Sequence, residues 1–157
     1  MKIVSYFIVL MMMLGACNVL VKEEKKATDL TKERIKLMEA DKAFSDLCEE
    51  QGMRKAFIEY IDSNGVLLRP NTMPVVGAHA IDYLIQFNDT GFTMKWQPHY
   101  SYVAQSADLG YTYGVYSLTP SSRDTVLYGT YVSIWKKQRD GAWKFVLDSG
   151  NEGVGNQ

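Results

Sequence analysis

Metal ligands and nucleophile motifs are scarce in this chain, and their shortage removes whole classes of site. The 157 residues include two cysteines and two histidines. His79 and His99, both expected to face solvent, and one spare thiol are too few ligands for a metal site of normal coordination number. No nucleophile-elbow motif is present, so a serine hydrolase is unsupported as well. We therefore expect neither a metal nor a cofactor.

A surplus of positive charge is also missing. The chain carries 17 basic and 18 acidic side chains, and 16 basic ones remain when Lys2 is set aside. This balance argues against nucleic acid, or an anionic membrane surface, as the main partner. The stretch from 17 to 157 is the length of one domain and can bury a sizeable core.

One long apolar run is present, at the N-terminus, where Lys2 precedes the segment from Ile3 to Leu14. A single basic residue, a short apolar core and small residues after it are typical of a secretory signal peptide, which we assign to 1–16. The sequence Leu14-Gly-Ala-Cys17 resembles the bacterial lipobox, which implies that Cys17 is acylated and becomes the first mature residue. The protein is then expected to be a lipoprotein, anchored to a membrane of the bacterial cell envelope on its periplasmic or outer-membrane side.

An anchor that is not cleaved is the alternative for this segment, because Ile3 to Val21 is nearly long enough to cross a bilayer. If Cys17 carries lipid, Cys48 is alone and no internal disulfide is expected. Cys48 itself is expected to be a small buried hydrophobe. After the signal we predict a charged tether over 17–28, a folded domain over 29–152 and a tail over 153–157.

Apolar residues at helical spacing predict three helices in the first part of the domain. The first starts at Asp29 or Thr31 and ends near Glu50. The second is short and begins after Gly52, and the third covers roughly 78–87. Between them, Val66-Leu-Leu-Arg69 predicts a short strand.

From Phe92 the apolar period changes to two, which predicts strands. Asp140-Gly141 joins the last two strands as a hairpin. Helices followed by a run of antiparallel strands predict an α+β fold, with the helices packed on one face of a curved sheet. The four predicted strands cover 92–104, 109–119, 127–138 and 142–149.

Short motifs occur along the chain in a characteristic order. They include Glu39-Ala-Asp-Lys-Ala-Phe44, Val66-Leu-Leu-Arg-Pro70, Trp96-x-Pro98, Gly129-x-Tyr131-x-x-x-Trp135 and Asp140-Gly-x-Trp-Lys144. Together they resemble a nuclear transport factor 2-like domain, in the branch of unknown function that is related to polyketide cyclases and ketosteroid isomerases. The resemblance covers roughly 31–152, and the ordered set carries it rather than any single motif.

This resemblance implies a cone, in which three N-terminal helices pack on a strongly curved antiparallel sheet and a pocket opens between them. It also implies homodimers that form through the outer face of the sheet. The superfamily contains isomerases, cyclases, dehydratases and pure binding or scaffold domains, so the fold alone does not define a function.

Aromatic residues at inward positions are the candidates for the pocket wall, with tyrosine hydroxyls orienting a ligand. Each of them can equally be plain core packing. Strand alternation also places Tyr100 inward, on the face of Trp96. The candidate wall consists of Phe57, Tyr60, Trp96, Tyr116, Tyr131 and Trp135.

A catalytic carboxylate is harder to find. In the last strand, alternation puts Asp148 on the face opposite Phe145 and Leu147, so it points away from the pocket unless a bulge reverses it. Asp41 is the remaining inward position by helical phase, although an exposed or ion-paired carboxylate is the simpler interpretation. We therefore assign no catalytic residue and keep Asp41 as a weak candidate.

Val132 and Ile134 alternate with the inward residues of their strand and predict an apolar outer stripe, which suits a dimer interface. The leading hypothesis is a lipid-anchored domain that binds a small, mostly apolar or amphipathic molecule in the pocket. The alternatives are an isomerase- or cyclase-like enzyme that uses a pocket carboxylate and a tyrosine, and a dimeric interaction module with a vestigial pocket. A cavity smaller than ~300 Å³, the lower end for ligand sites, would favour the module.

Overall fold

Three helices open the domain in the computed structural model, which describes residues 29–154. They are α1 (Leu30–Gln51), α2 (Met53–Tyr60) and α3 (Ala78–Gln86), and all three helix predictions are confirmed. The Asp29 carboxylate caps α1 by accepting from the backbone N–H groups of Thr31 and Lys32. Gly52 separates α1 from α2 at a φ of 88°, in the left-handed region that favours glycine.

A six-stranded sheet packs against the helices, in the order β2-β1-β6-β5-β4-β3. All neighbouring strands are antiparallel except β1 and β6, which pair in parallel. The α+β cone is confirmed, with a sheet that is mixed, curved and open. The strands are β1 (Ile61–Leu68), β2 (Val75–Val76), β3 (Phe92–Val103), β4 (Leu109–Pro120), β5 (Leu127–Lys137) and β6 (Trp143–Glu152).

Two β-bulges interrupt the strand alternation. In β3, Pro98 pairs with Gly114 and Tyr100 pairs with Tyr113, so His99 is an extra residue. Tyr100 consequently faces outward, with 37% of its surface exposed, and Ser101 is buried in its place. The prediction that Tyr100 faces inward is therefore wrong.

The second bulge lies in β6. Ile134 pairs with Leu147 and Trp135 pairs with Phe145, so Val146 is the extra residue. After this point the buried side chain of β6 is Asp148. The bulge thus reverses the face on which the end of β6 presents its side chains.

Phe44, on α1, lies at the centre of the core. Its ring stacks on Tyr60 and Phe145, at 4.9 and 5.5 Å between centroids, and meets Trp96 edge-on at 4.6 Å. Aromatic packing of this kind joins the helices to the inner face of the sheet. Cys48 lies in the same core and is buried as predicted, and burial raises the pKa of its thiol to about 12.

The predicted signal peptide, Cys17 and the tether (1–28) lie outside the described residues, as does most of the tail. Within 29–154, no helix is both long enough and apolar enough to cross a membrane.

Candidate functional site

A cavity of about 220 Å³ lies between the helices and the end of the sheet that is distant from the Asp140-Gly141 turn. Strands β3 to β6 and the segment after β1 all contribute to its wall. Most of the lining is apolar, and this part consists of Phe44, Met53, Phe57, Pro70, Phe87, Phe92, Met94, Trp96 and Leu118.

Four of the six predicted wall residues line this cavity: Phe57, Trp96, Tyr116 and Tyr131. Tyr60 and Trp135 do not line it. Both pack against Phe44, with centroid distances of 4.9 and 6.0 Å. Helical phase for Tyr60 and strand alternation for Trp135 identified their faces, but both lie towards the hairpin turn, where Trp135 is buried in the core and Tyr60 is half-buried at its edge.

Trp135 shows this core role clearly, because it is fully buried and its indole is satisfied locally. Its Nε1 donates a hydrogen bond of 2.8 Å to Thr112 Oγ1 on the neighbouring strand. Tyr60 borders a separate surface hollow beside Trp143 and Lys144. Neither residue can contact a molecule held in the cavity.

The polar end of the cavity is formed by Arg69, Ser133 and Asp148. Arg69 Nη2 lies 2.8 Å from Asp148 Oδ1, and Ser133 Oγ donates to Asp148 Oδ2 over 2.8 Å. Both side chains of the ion pair are largely buried, with exposures of 15% for Arg69 and 9% for Asp148. The expectation that Asp148 points away from the pocket is therefore wrong, and the bulge at Val146 is the reason.

Arg69 reaches this position because β1 runs parallel to β6. Leu68, the last residue of β1, pairs with Ser149, so the next residue lies beside the carboxylate. Arg69 Nη1 also donates to the carbonyl groups of Leu68 and Asp148, at 3.0 and 3.2 Å. Its guanidinium group lies 5.4 Å from the ring centroid of Phe57, within the range of a cation–π contact.

Asp41 lies behind the cavity wall and is fully buried. Trp96 Nε1 donates to Asp41 Oδ1 over 2.8 Å, and the Tyr131 hydroxyl donates to Oδ2 over 2.8 Å. Because it is buried and has no ion-pair partner within the described residues, the simpler interpretation of an exposed or ion-paired carboxylate is wrong. Asp41 is not among the residues that line the cavity. Its carboxylate instead holds two wall residues in place.

Burial raises the pKa of Asp41 to about 6. The hydrogen bonds from Trp96 and Tyr131 and the nearby hydroxyl of Thr112 oppose this shift, and the nearby charge of Asp148 adds to it. Burial, followed by the charge of Asp41, raises the pKa of Tyr131 far above its usual value. Tyr131 therefore stays protonated and commits its hydroxyl proton to Asp41.

The three residues of the polar cluster, Arg69, Ser133 and Asp148, were not assigned to the pocket by sequence reasoning. Ser133 does carry a signal, because a small polar residue between the inward aromatics Tyr131 and Trp135 indicates a gap in the packing and a hydrogen-bond partner. Arg69 follows an apolar strand directly, but its partner is 79 positions away. No local pattern connects residues at that separation.

Other sequence-based expectations concern metals and histidines. His79 and His99 are both exposed. Within residues 29–154, no group of three or more potential ligands could hold a metal ion. The polar groups at the cavity are a guanidinium, a hydroxyl and a carboxylate that is already paired, a set suited to hydrogen bonding with an organic molecule.

Comparison with known proteins gives a fold but no closer relative. No family model and no curated protein matches this chain. Solved structures do match. A nuclear transport factor 2-like protein with a cystatin-like fold from Novosphingobium aromaticivorans is 16% identical, with a TM-score of 0.64, over 81% of this chain and 86% of its own.

Two further structures agree. A nuclear transport factor 2-like superfamily protein from Salmonella enterica serovar Typhimurium is 11% identical, with a TM-score of 0.62, over 81% of this chain and 98% of its own. A ketosteroid isomerase-like protein from Erwinia carotovora is 16% identical, with a TM-score of 0.58, over 76% of this chain and 95% of its own. At these identities the likeness shows the fold, which is nuclear transport factor 2-like.

Proposed function

We propose that this domain binds a small, mostly apolar molecule in the cavity between its helices and its sheet. The observation that carries the proposal is the composition of the wall: nine apolar side chains surround one polar cluster, made by Arg69, Ser133 and Asp148. Sites for small organic ligands combine an apolar wall with a few placed polar groups in this way. The apolar part supplies the binding energy and the cluster orients the molecule.

The cavity volume limits the size of this molecule. The volume of about 220 Å³ is below the ~300 Å³ at which sites for drug-sized ligands begin. For a drug-sized ligand, this volume favours the interaction module over a binding domain. An apolar cavity of ~150 Å³ nevertheless holds benzene in another protein. The proposed ligand is therefore about one ring in size.

The cluster, rather than a tyrosine, is proposed to orient the ligand. Tyr131 already donates its hydroxyl proton to Asp41. Ser133 and Asp148 have oxygen lone pairs that remain available. A ligand group that donates a hydrogen bond can therefore complete the cluster.

Native mass spectrometry of the protein purified from its own host tests the proposal. We expect the wild-type protein to carry a small organic molecule and the Gly150→Leu variant to lose it. A Cβ at Gly150 would lie 3.6 Å from Tyr116 Cε1 at the cavity wall, an ordinary contact, so the backbone can accept a side chain that fills the space. Asn151→Leu, which adds the same side chain at an exposed position outside the wall, is the matched control.

The proposal fails if the wild-type protein carries no molecule and the fluorescence of Trp96 does not respond to a small apolar probe such as toluene. It also fails if Gly150→Leu and Asn151→Leu retain a bound molecule equally well.

An acid–base enzyme is the second candidate, and the inward position of Asp148 is the observation that favours it. Such chemistry needs a carboxylate base and a proton donor in an apolar pocket. Here Asp148 is paired with Arg69, and the Tyr131 proton is committed to Asp41. The two candidates are separated by measuring how fast the α-hydrogens of a cyclic ketone exchange for deuterium in deuterated water. An exchange rate above that without protein, which is lost in Asp148→Asn, supports the enzyme. An exchange rate equal to that without protein contradicts it.

Two further proposals concern assembly and location. We propose that the outer face of the sheet, which contains Val132 and Ile134, forms a homodimer. We also propose that Cys17 is acylated and anchors the protein to a membrane of the cell envelope. Replacing Cys17 by Ala should leave the precursor uncleaved and change its membrane fractionation, whereas unchanged size and partitioning would contradict lipidation.

A further inference from the structure

We infer that the cavity selects an uncharged ligand whose polar group donates hydrogen bonds, such as an alcohol, a phenol or a carboxamide, and that Asp148 sets this selectivity. The inference rests on the proposed binding function and names the class of molecule that is bound. It depends on the arrangement of charge at the polar end of the cavity.

Arg69 alone would make the cavity a receptor for carboxylates, because a buried guanidinium is the usual partner of that group. Its charge is already compensated, however. Asp148 Oδ1 lies 2.8 Å from Arg69 Nη2, and the pair lines the cavity as a neutral unit. An anionic ligand would have to approach Asp148 as closely as Arg69, and this repulsion cancels most of the attraction.

A cationic ligand meets the opposite difficulty. The negative charge of Asp148 is already compensated, because Oδ1 is paired with Arg69, while Oδ2 accepts from Ser133. An ammonium group would enter beside a buried guanidinium and would lose its own hydration in an apolar wall. The cluster consequently disfavours both signs of charge.

A neutral polar group fits what is left. Ser133 Oγ can still accept a hydrogen bond, and each Asp148 oxygen has a further lone pair. A hydroxyl or a primary amide can donate to these oxygens. Arg69 Nη2 is not among its partners, because less than 1 Å² of that atom is accessible. No net charge is then transferred into the cavity.

One other charged residue borders the cavity, at its rim. Glu152 lines the opening but is exposed, so solvent screens its charge. Glu152 is therefore expected to have little influence on selectivity, and Glu152→Gln is the control for the effect of a more distant charge.

Four probes that share one benzene ring test the inference: benzyl alcohol, benzamide, benzoate and benzylamine. Their binding to the purified full-length protein is measured by titration calorimetry near neutral pH. We expect the alcohol and the amide to bind at least ~10-fold more tightly than benzoate and benzylamine, because each ion must give up its hydration without gaining an unpaired counter-charge.

Asp148→Asn keeps the shape of the side chain and leaves Arg69 without its counter-charge. The preference should then shift at least ~10-fold towards benzoate. The double variant Arg69→Gln/Asp148→Asn is neutral again and should keep the preference for the alcohol. Glu152→Gln should change the ratio of alcohol to benzoate by less than ~3-fold.

Several outcomes would overturn the inference. It fails if benzoate or benzylamine binds the wild-type protein as tightly as the alcohol does, and the proposed binding function stands in that case. It also fails if a folded Asp148→Asn protein shows no shift towards benzoate, or if Glu152→Gln gives an equal shift. If none of the four probes binds, both the inference and the binding function fail. The wild-type comparison is decisive even if Asp148→Asn does not fold.

Discussion

At the scale of single residues, Asp41 connects the helices to the cavity. Its two oxygens accept from Trp96 on β3 and from Tyr131 on β5, each at 2.8 Å, so one carboxylate on α1 fixes side chains from two strands. Burying a carboxylate costs little free energy when both of its oxygens accept hydrogen bonds, and it costs much more when one of the two donors is lost. We therefore regard Asp41 as a positioning residue, which acts on a ligand through Trp96 and Tyr131.

The ionisation of Asp41 should make the stability of the protein depend on pH. The pKa of Asp41 is raised from 3.8 to about 6 in the folded state, mainly by burial. Between these values the folded protein binds more protons than the unfolded chain, so the contribution of Asp41 is largest below about pH 4 and is lost as the pH rises through about 6. Urea denaturation should show that the wild-type protein loses about 2 kcal/mol relative to Asp41→Asn between about pH 4 and about pH 7.

Glu33→Gln is the control of opposite sign. Lys137 and Lys36 hold the pKa of Glu33 below its model-compound value of 4.5, so its contribution is present above that value and is lost as the pH falls. The difference between the wild-type protein and Glu33→Gln should therefore increase with pH. A difference curve for Asp41→Asn that is flat, or that also increases with pH, would contradict the assignment.

At the scale of elements, the two bulges mark the limit of sequence reasoning. Alternation places the inward residues of β4 and β5 correctly, because those strands are regular over their full length. It fails for Tyr100 and Asp148, which both follow an extra residue. A bulge is defined by how a strand pairs with its neighbour, so a single strand read alone does not reveal it.

Strand glycines allow the close approach between β3 and β4 at the first bulge. A Cβ at Gly114 would lie 2.2 Å from the carbonyl oxygen of Gln97, a clash with the backbone. A Cβ at Gly150, by contrast, would have 3.6 Å to its nearest atom. We expect Gly114→Ala to lower the free energy of unfolding by about 2 kcal/mol or more, and Gly150→Ala by less than about 1 kcal/mol. Chemical denaturation of both variants checks this, and equal losses would show that the clash is not the cause.

At the scale of the whole molecule, the sheet separates two surfaces. The inner face forms the cavity, while the outer face carries exposed tyrosines in two cross-strand pairs. Tyr100 and Tyr113 have ring centroids 5.8 Å apart, and Tyr102 and Tyr111 are 5.4 Å apart. These pairs lie beside Val132 and Ile134, because Tyr113 pairs with Val132 and Tyr111 with Ile134 along the strands. The predicted apolar stripe is therefore one edge of a wider aromatic surface.

Dimerisation through this surface is tested by placing a charge on it. Ile134→Glu should weaken a dimer at least ~10-fold, since the carboxylate would be buried without a partner. Sedimentation equilibrium of the wild-type protein and the variant measures the effect. Val76→Glu, at a residue that is 50% exposed on the opposite edge strand, is the control and should leave the dimer intact. A wild-type protein that stays monomeric at all concentrations would contradict the proposal.

The sequence by itself determined the order of the three helices and of five of the six strands, the α+β class, the burial of Cys48 and four residues of the cavity wall. Helical and strand periods are local, and hydrophobic burial follows them wherever an element is regular. Only the tertiary structure decided that Asp41 is buried, that Tyr60 and Trp135 belong to the core, and that Arg69, Ser133 and Asp148 meet. Those outcomes depend on a parallel pairing between β1 and β6 and on a bulge at Val146, which join residues far apart in the chain. Strand pairing joins residues that are far apart in the chain, so local sequence patterns do not predict the polar end of the cavity.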